Sequence, residues 1–310
     1  MQPVAAPSAA PLPRRLGLLP ATALNMIDMV GIGPFVTLPL VMGMMGPNFL
    51  LAWLVGAGLA LVDGLIWSEL GAAYPEAGGS YRFLKLAYGE RSWGRLLSFL
   101  YVWQTLVQAP LVLASGAIGF AQYVGYLVPM DAWWQPKAVA GGIVLLLIVL
   151  LYRRIEDIGR LGVVLWVCVL GLMGWLIVGR LTHARHPVAC LPAAGDSVGL
   201  PGLLLSAALG QAAVKTIYSY LGYYNVCHLG GEIKNPARNN PRAIFLSILG
   251  IMALYLALNW AVGSVVSWQE VRGWQAAAGG APDKSQFIVS VFVERLYGPL
   301  AAQIATGLVL

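Results

Sequence analysis

Residues able to do chemistry are scarce in this sequence, and most of them sit inside apolar runs. Asp28 is the sole charge between Leu16 and Met45. A carboxylate at membrane depth costs about 2.5–3.5 kcal/mol on insertion scales, so it must face a cavity, a partner or a bound cation. Proton coupling or cation recognition is one role for it; a structural ion pair or a neutral, protonated carboxyl is the other. Lys215, also inside an apolar run, is the candidate partner. A salt bridge from Lys215 to Asp28 or Asp63 is the favoured pairing, with attraction of anionic ligand groups as the alternative. Glu69 lies near a helix end, where snorkelling or a backbone cap explains it. Gln104 and Gln108, four residues apart, share one helix face and either line a polar path or pack between helices.

These residues do not assemble into a catalytic set. No nucleophile or metal ligand is placed to converge with the carboxylates, so an enzyme is not expected. Cys168, Cys190 and Cys227 lack metal-ligand spacing, and two of them fall in apolar runs as packing residues. His183, Arg185 and His186 cluster in one loop without a Cys or acidic ligand at suitable spacing. Neither a metal nor a cofactor is expected.

The elements that must position Asp28 and Lys215 are membrane helices. Of the 310 residues, 59% are hydrophobic and 10% charged, and the mean hydropathy is +0.74. Soluble domains carry about 25% charged residues. A bilayer core about 30 Å thick needs around 20 mostly apolar residues per helix. Such runs cover roughly Gly17 to Met42, Phe49 to Ala73, Trp93 to Tyr123, Lys137 to Tyr152, Leu161 to Gly179, Leu200 to Gly230 and Ile244 to Val266. An eighth opens at Gly298 and is still apolar at Leu310, which gives the expectation of a fragment. Barrel strands would alternate apolar and polar residues, whereas these runs are apolar on every face. The expected class is an all-α membrane protein, with a disordered cytoplasmic tail over residues 1–13 and a transmembrane domain over 14–310.

The charges report orientation. Twelve Lys and Arg residues, among them Arg14, Arg82, Arg153 and Lys234, fall on the N-terminal side, and six, among them Lys137, Arg272 and Lys284, on the other. The positive-inside rule then places the N-terminus in the cytoplasm, of a bacterial inner membrane or another plasma membrane. The net charge of +6 reflects topology and contact with anionic lipid, because the basic residues are spread between spans. Nucleic acid is not an expected partner. The start lacks the charged leader and compact apolar core of a cleaved signal.

Two spans are interrupted. Gly31, Ile32, Gly33 and Pro34 sit in the middle of the first, and Ser219, Tyr220, Leu221, Gly222, Tyr223 and Tyr224 in the sixth. Glycine costs about 1 kcal/mol and proline about 3 in a helix interior. Irregular backbone at membrane depth is tolerated only where protein or a water-filled cavity satisfies its polar groups. Breaks in corresponding positions of two halves point to an inverted-repeat transporter with its site near the midplane. The alternative is a pair of glycine kinks at helix contacts.

Val30-Gly31-Ile32-Gly33-Pro34-Phe35 resembles the unwound first-helix motif of the amino acid/polyamine/organocation (APC) superfamily. Glu69-Leu70-Gly71 and Tyr74-Pro75-Glu76-Ala77-Gly78-Gly79-Ser80-Tyr81 are similar to its second-helix end and the segment that follows. The stretch from Tyr220 to Val226, with Gly231-Glu232-Ile233-Lys234-Asn235-Pro236 and Asn240-Pro241-Arg242-Ala243-Ile244, resembles its sixth helix and 6–7 loop.

The resemblance implies an alternating-access permease with five-plus-five inverted repeats, the first over about 17–180 and an incomplete second over about 200–310. It implies secondary active transport of amino acids, with a proton or cation as possible coupling partner. The substrate carboxylate would meet backbone N–H groups around Ile32 and Gly33, and the amine the carbonyls near Met29, Val30, Tyr218 and Ser219. Gly31, Tyr220 and Gly222 complete the implied site. A half-helix N-terminus carries about half a positive charge and unpaired donors, which suits a carboxylate. Ile32 replaces the usual small hydroxyl residue, and Pro34 removes an amide donor. Related polyamine-type members carry Gly-Pro-Phe here, so a polyamine or other organocation is the second substrate class. A non-transporting amino-acid sensor is a third reading. Leu221 stands where some exchangers have an acid. No lysine lies between Leu161 and Gly179, where L-type members often have one.

Overall fold

The computed structural model describes residues 14–31, 33–90, 92–130, 132–152, 155–183, 188, 199–277 and 284–309. The tail over 1–13, Ile32, Arg185, His186 and Cys190 lie outside the described residues, as does the side chain of His183.

The first expected span divides into α1 (Leu18–Met29) and α2 (Gly33–Met45). A 3-10 turn over Gly46–Asn48 leads into α3 (Phe49–Ala73), whose bounds are those of the second expected span. After α4 (Ser80–Tyr88) come three long helices: α5 (Trp93–Leu127), α6 (Gln135–Leu151) and α7 (Ile155–His183). The sixth span is built from α8 (Gly199–Leu204), α9 (Ala207–Tyr220) and a 3-10 turn at Asn225–His228. It is followed by α10 (Pro236–Gly263), α11 (Trp268–Ala277), α12 (Ile288–Tyr297) and α13 (Pro299–Val309). Among the described residues there is no strand, only the bridges Leu16–Ile233 and Ala77–Leu229.

Two boundaries depart from expectation. Pro236 and Pro241 lie in the stretch that resembles a 6–7 loop, yet α10 begins at Pro236 and carries Pro241 inside it. Proline at the first helical position gives up an N–H that has no partner there in any case. The carbonyl that loses its donor to Pro241 belongs to Ala237, which is exposed at the helix start. The other departure is α11 and α12, which precede the expected opening of the eighth span. Gly298, at φ 87°, turns the chain between α12 and α13.

Small residues set how closely the helices approach. Gly56, Ala60, Gly64, Ser68 and Gly71 are all buried along α3. A Cβ on Gly56 would fall 2.4 Å from Thr216 Oγ1 of α9, and one on Gly64 2.8 Å from Ile248 of α10. Close backbone approach of this kind is how membrane helices gain packing energy without a hydrophobic drive. The core so formed holds Trp53, Tyr220, Tyr255, Phe35 and Leu38, all essentially inaccessible. By contrast, Trp103, Leu106, Leu111, Val149 and Val164 on α5, α6 and α7 are exposed. Segments Trp93–Leu127, Val163–Leu181 and Pro236–Gly263 are each long and apolar enough to cross a bilayer, and Gly33–Ala73 is too, through α2 and α3. The chain is an all-α integral membrane protein.

Candidate functional site

At the first break, Val30 takes an extended conformation and its N–H donates to Met26 O at 3.0 Å, closing α1. A helix end inside a bilayer still has carbonyls to satisfy. Tyr255 of α10 supplies one donor, its hydroxyl bonding Met29 O at 2.8 Å. Across a three-residue gap Gly33 opens α2, and Pro34 follows where a missing N–H costs least.

The second break begins at Leu221, also extended, and turns at Gly222 with φ 123°. A Cβ on Gly222 would lie 2.7 Å from Asp28 Oδ2 and 3.2 Å from the Asp28 backbone carbon. Only glycine suits both that φ and that approach. The two breaks therefore touch, with the Asp28 carboxylate at the contact.

Asn25, one turn before Met29 and 1% exposed, holds the second break in place. Its Nδ2 donates to Tyr223 O at 2.8 Å, and its Oδ1 accepts from Val226 N at 3.0 Å. Sequence reasoning missed it. The available signal was an amide in a hydrocarbon run, where an unpartnered polar group is costly.

Asp28 is exposed at the open side of this contact and accepts a hydrogen bond from Asn225 Nδ2. The expected salt bridge from Lys215 is absent: among the described residues neither Asp28 nor Asp63 pairs with a cation. Asp63 Oδ2 accepts instead from Tyr223 Oη at 2.6 Å and Trp67 Nε1 at 2.9 Å. Lys215 lies seven residues before Gly222, about 10 Å back along α9 at 1.5 Å per residue, whereas Asp28 meets residues at and beyond the break.

The facing ends of α2 and α9 meet as well. Ser219 Oγ donates to Thr37 Oγ1 at 3.2 Å in a buried contact, and a Cβ on Gly33 would stand 3.9 Å from Ser219 Oγ. The donor end of one half-helix thus lies beside the acceptor end of another, a pair of opposite partial charges. Val30 is buried, Gly31 exposed, and Tyr218 44% exposed. Tyr220 is different: its ring is sealed in the core, edge-on to Trp53, with its hydroxyl bonding Trp53 O at 3.3 Å. Tyr224 stacks on Trp67 at 5.2 Å between ring centroids. Gln104 Nε2 reaches Gln108 Oε1 at 3.4 Å on an exposed face of α5. No three His, Cys, Asp or Glu residues converge among the described residues.

Residues 16–310 match the family model described as amino acid permease. Over 275 residues the chain is 29% identical to the serine/threonine exchanger SteT of Bacillus subtilis, an overlap covering 84% of this chain and 57% of that protein. It is 25% identical over 243 residues to the aspartate-proton symporter of the same organism, covering 74% and 44%. To the Asc-type amino acid transporter 1 of Mus musculus it is 26% identical over 283 residues, covering 86% and 51%. The chain spans about half the length of the curated relatives it matches.

Proposed function

The chain belongs to the amino acid permease family, and on that premise we propose that it carries an α-amino acid across the membrane by alternating access. The observation that carries the reading is the contact of two helix breaks, Gly222 against Asp28 and Gly33 beside Ser219. Donors opening α2 receive the carboxylate, and carbonyls closing α1 and α9 receive the amine. Recognition of the zwitterion then needs no basic side chain, and no covalent bond of the substrate changes. The inner half α1 and the segment beyond Gly222 move as one unit, because Asn25 ties them at both Tyr223 O and Val226 N. The basic side of the protein faces the cytoplasm.

Asp28 is the coupling group in this reading. Its carboxylate is open to the site and has no basic partner among the described residues, so a proton or a cationic substrate group is what neutralises it. The similarity to an aspartate-proton symporter supports the proton. The same absence of a basic partner favours, as second reading, a substrate with an additional amine, a polyamine included.

Uptake into proteoliposomes by the full-length protein tests both. A labelled amino-acid and polyamine panel is offered with and without a pH gradient, to wild type and Asp28→Asn. The expected result is α-amino-acid uptake whose gradient dependence is lost in the variant. Polyamine uptake alone selects the second reading, and binding without uptake overturns transport.

A further inference from the structure

Tyr255 stands on α10, beyond both breaks in the sequence, yet it touches the last residue of each half-helix that ends at them. Its hydroxyl donates to the carbonyl of Met29, the final residue of α1, at 2.8 Å. Its ring lies 5.4 Å from that of Tyr220, the final residue of α9, with 51° between the planes. Trp53 of α3 closes a third side, edge-on to Tyr255 at 5.5 Å and to Tyr220 at 6.2 Å. All three rings are fully buried. The Tyr220 hydroxyl bonds Trp53 O at 3.3 Å, and one turn further along α10 Asn259 Nδ2 donates to Tyr255 O at 2.8 Å. Tilted and edge-on ring contacts are directional, so this packing fixes where the Tyr255 hydroxyl points.

Both ends that Tyr255 touches are carbonyl ends of helices and carry partial negative charge. That effect fades within a single helical turn, so two such ends serve one cation only if their separation is held. A carbonyl oxygen has two lone pairs. The Tyr255 hydroxyl takes one on Met29 O and leaves the other. Sealed in the core, the hydroxyl does not reach a ligand and acts through that carbonyl. The ring sets the place of the α9 end, and the hydroxyl ties the α1 end to it.

We propose that Tyr255 is the positioning residue of the amine site, holding the acceptor ends of α1 and α9 in register for an α-ammonium group. The inference rests on the reading that these carbonyls receive the substrate amine.

The experiment measures what the amine contributes to recognition. Full-length protein in proteoliposomes takes up the best-transported amino acid of the panel. Uptake is inhibited either by that amino acid, unlabelled, or by the carboxylic acid that lacks only its α-amine, which for L-threonine is 3-hydroxybutanoate. The ratio of the two inhibition constants reports the amine. Tyr255→Phe keeps the ring and removes the hydroxyl. In it the ratio is expected to narrow about fivefold, as for loss of one hydrogen bond, with the constant for the amine-free acid within about twofold of wild type. Thr216→Val is the reference, because it too deletes a buried hydroxyl between helices, one that bonds Ala52 O at 3.0 Å rather than the end of a half-helix. It is expected to lower the unfolding temperature and leave the ratio in place. An unchanged ratio in Tyr255→Phe overturns the proposal. Equal weakening of both inhibitors does so too, since it assigns the hydroxyl to general packing, as does equal narrowing in Thr216→Val. Failure of the premise shows in the wild type instead, as a ratio near one before any substitution.

Discussion

A single missing side chain brings the two breaks together. Gly222 combines a left-handed φ of 123° with contact to Asp28, so a methyl group there meets both backbone strain and collision. Strained backbone of this sort costs about 1–3 kcal/mol. Gly222→Ala is accordingly expected to destabilise the protein by about 2 kcal/mol, read as a lower unfolding temperature in detergent. Gly31 lies in the other break, yet among the described residues nothing beyond its chain neighbours stands within 4 Å of where its Cβ would be. Gly31→Ala is expected to unfold within about 0.5 kcal/mol of wild type. Equal effects of the two substitutions would show that contact between the breaks is not what the glycine at 222 provides. Sequence alone marks both as breakers and does not separate them, because the difference lies in what approaches each from another helix.

At the scale of the element, the short helix α11 shows how one piece of secondary structure steadies another. Pro47 lacks the N–H that would have served Gly43 O at the end of α2. Arg272 of α11 donates to that carbonyl twice, from Nε at 3.2 Å and Nη2 at 3.0 Å, and Gln275 Nε2 donates to Pro39 O at 3.0 Å. The helix is itself closed by Ser267 and Glu270: Ser267 N donates to Glu270 Oε2 at 3.0 Å and Glu270 N to Ser267 Oγ at 3.3 Å. This Ser-x-x-Glu capping box was legible in the sequence and would have revealed α11. Two bonds from Arg295 of α12, at 3.0 and 3.1 Å, complete the arrangement. Those bonds first, and the Ser267 contacts next, hold the Glu270 carboxyl below its ordinary range. A lowered carboxyl stabilises the fold above the ordinary carboxylate value, and that contribution disappears as pH falls through the lowered value. Because Glu270 is 39% exposed, Glu270→Gln is expected to cost at most about 1 kcal/mol at pH 7. The gap to wild type should close in acid; thermal unfolding at both pH values checks it, and a gap that persists in acid would place the effect in packing.

Over the whole molecule, charge and packing divide the labour. The bridge Leu16–Ile233 and the docking of Gly78 on His228 gather the start of α1, the segment after α3 and the segment after the second break on one side. Gly230 belongs to this junction, since a Cβ there would lie 2.9 Å from Glu76 O. Two motifs far apart in the sequence, Tyr74 to Tyr81 and Gly231 to Pro236, therefore adjoin one structural joint. Lys234 on this side and Lys284 beyond α11 are both exposed. In right-side-out vesicles, with the native cysteines replaced by serine, Lys284→Cys is expected to react with an impermeant thiol reagent. Lys234→Cys is expected to react only after permeabilisation. The reverse pattern would invert the orientation.

The sequence by itself determined the solvent, the all-α class, the second span from Phe49 to Ala73, and the positions of both breaks. Each of these follows from residues adjacent in the chain, through apolar run length and the local cost of glycine and proline in a helix. Tertiary structure alone decided the partners. Asp28 meets Asn225 and Gly222 rather than Lys215, and Asn25 reaches Val226 across 201 positions. Tyr220, although next to the break, turns into the core against Trp53 and Tyr255. Such choices depend on how closely helices approach and which face each presents. That is set by small residues on a third helix, Gly56 and Gly64 of α3, which no local pattern around Asp28 encodes.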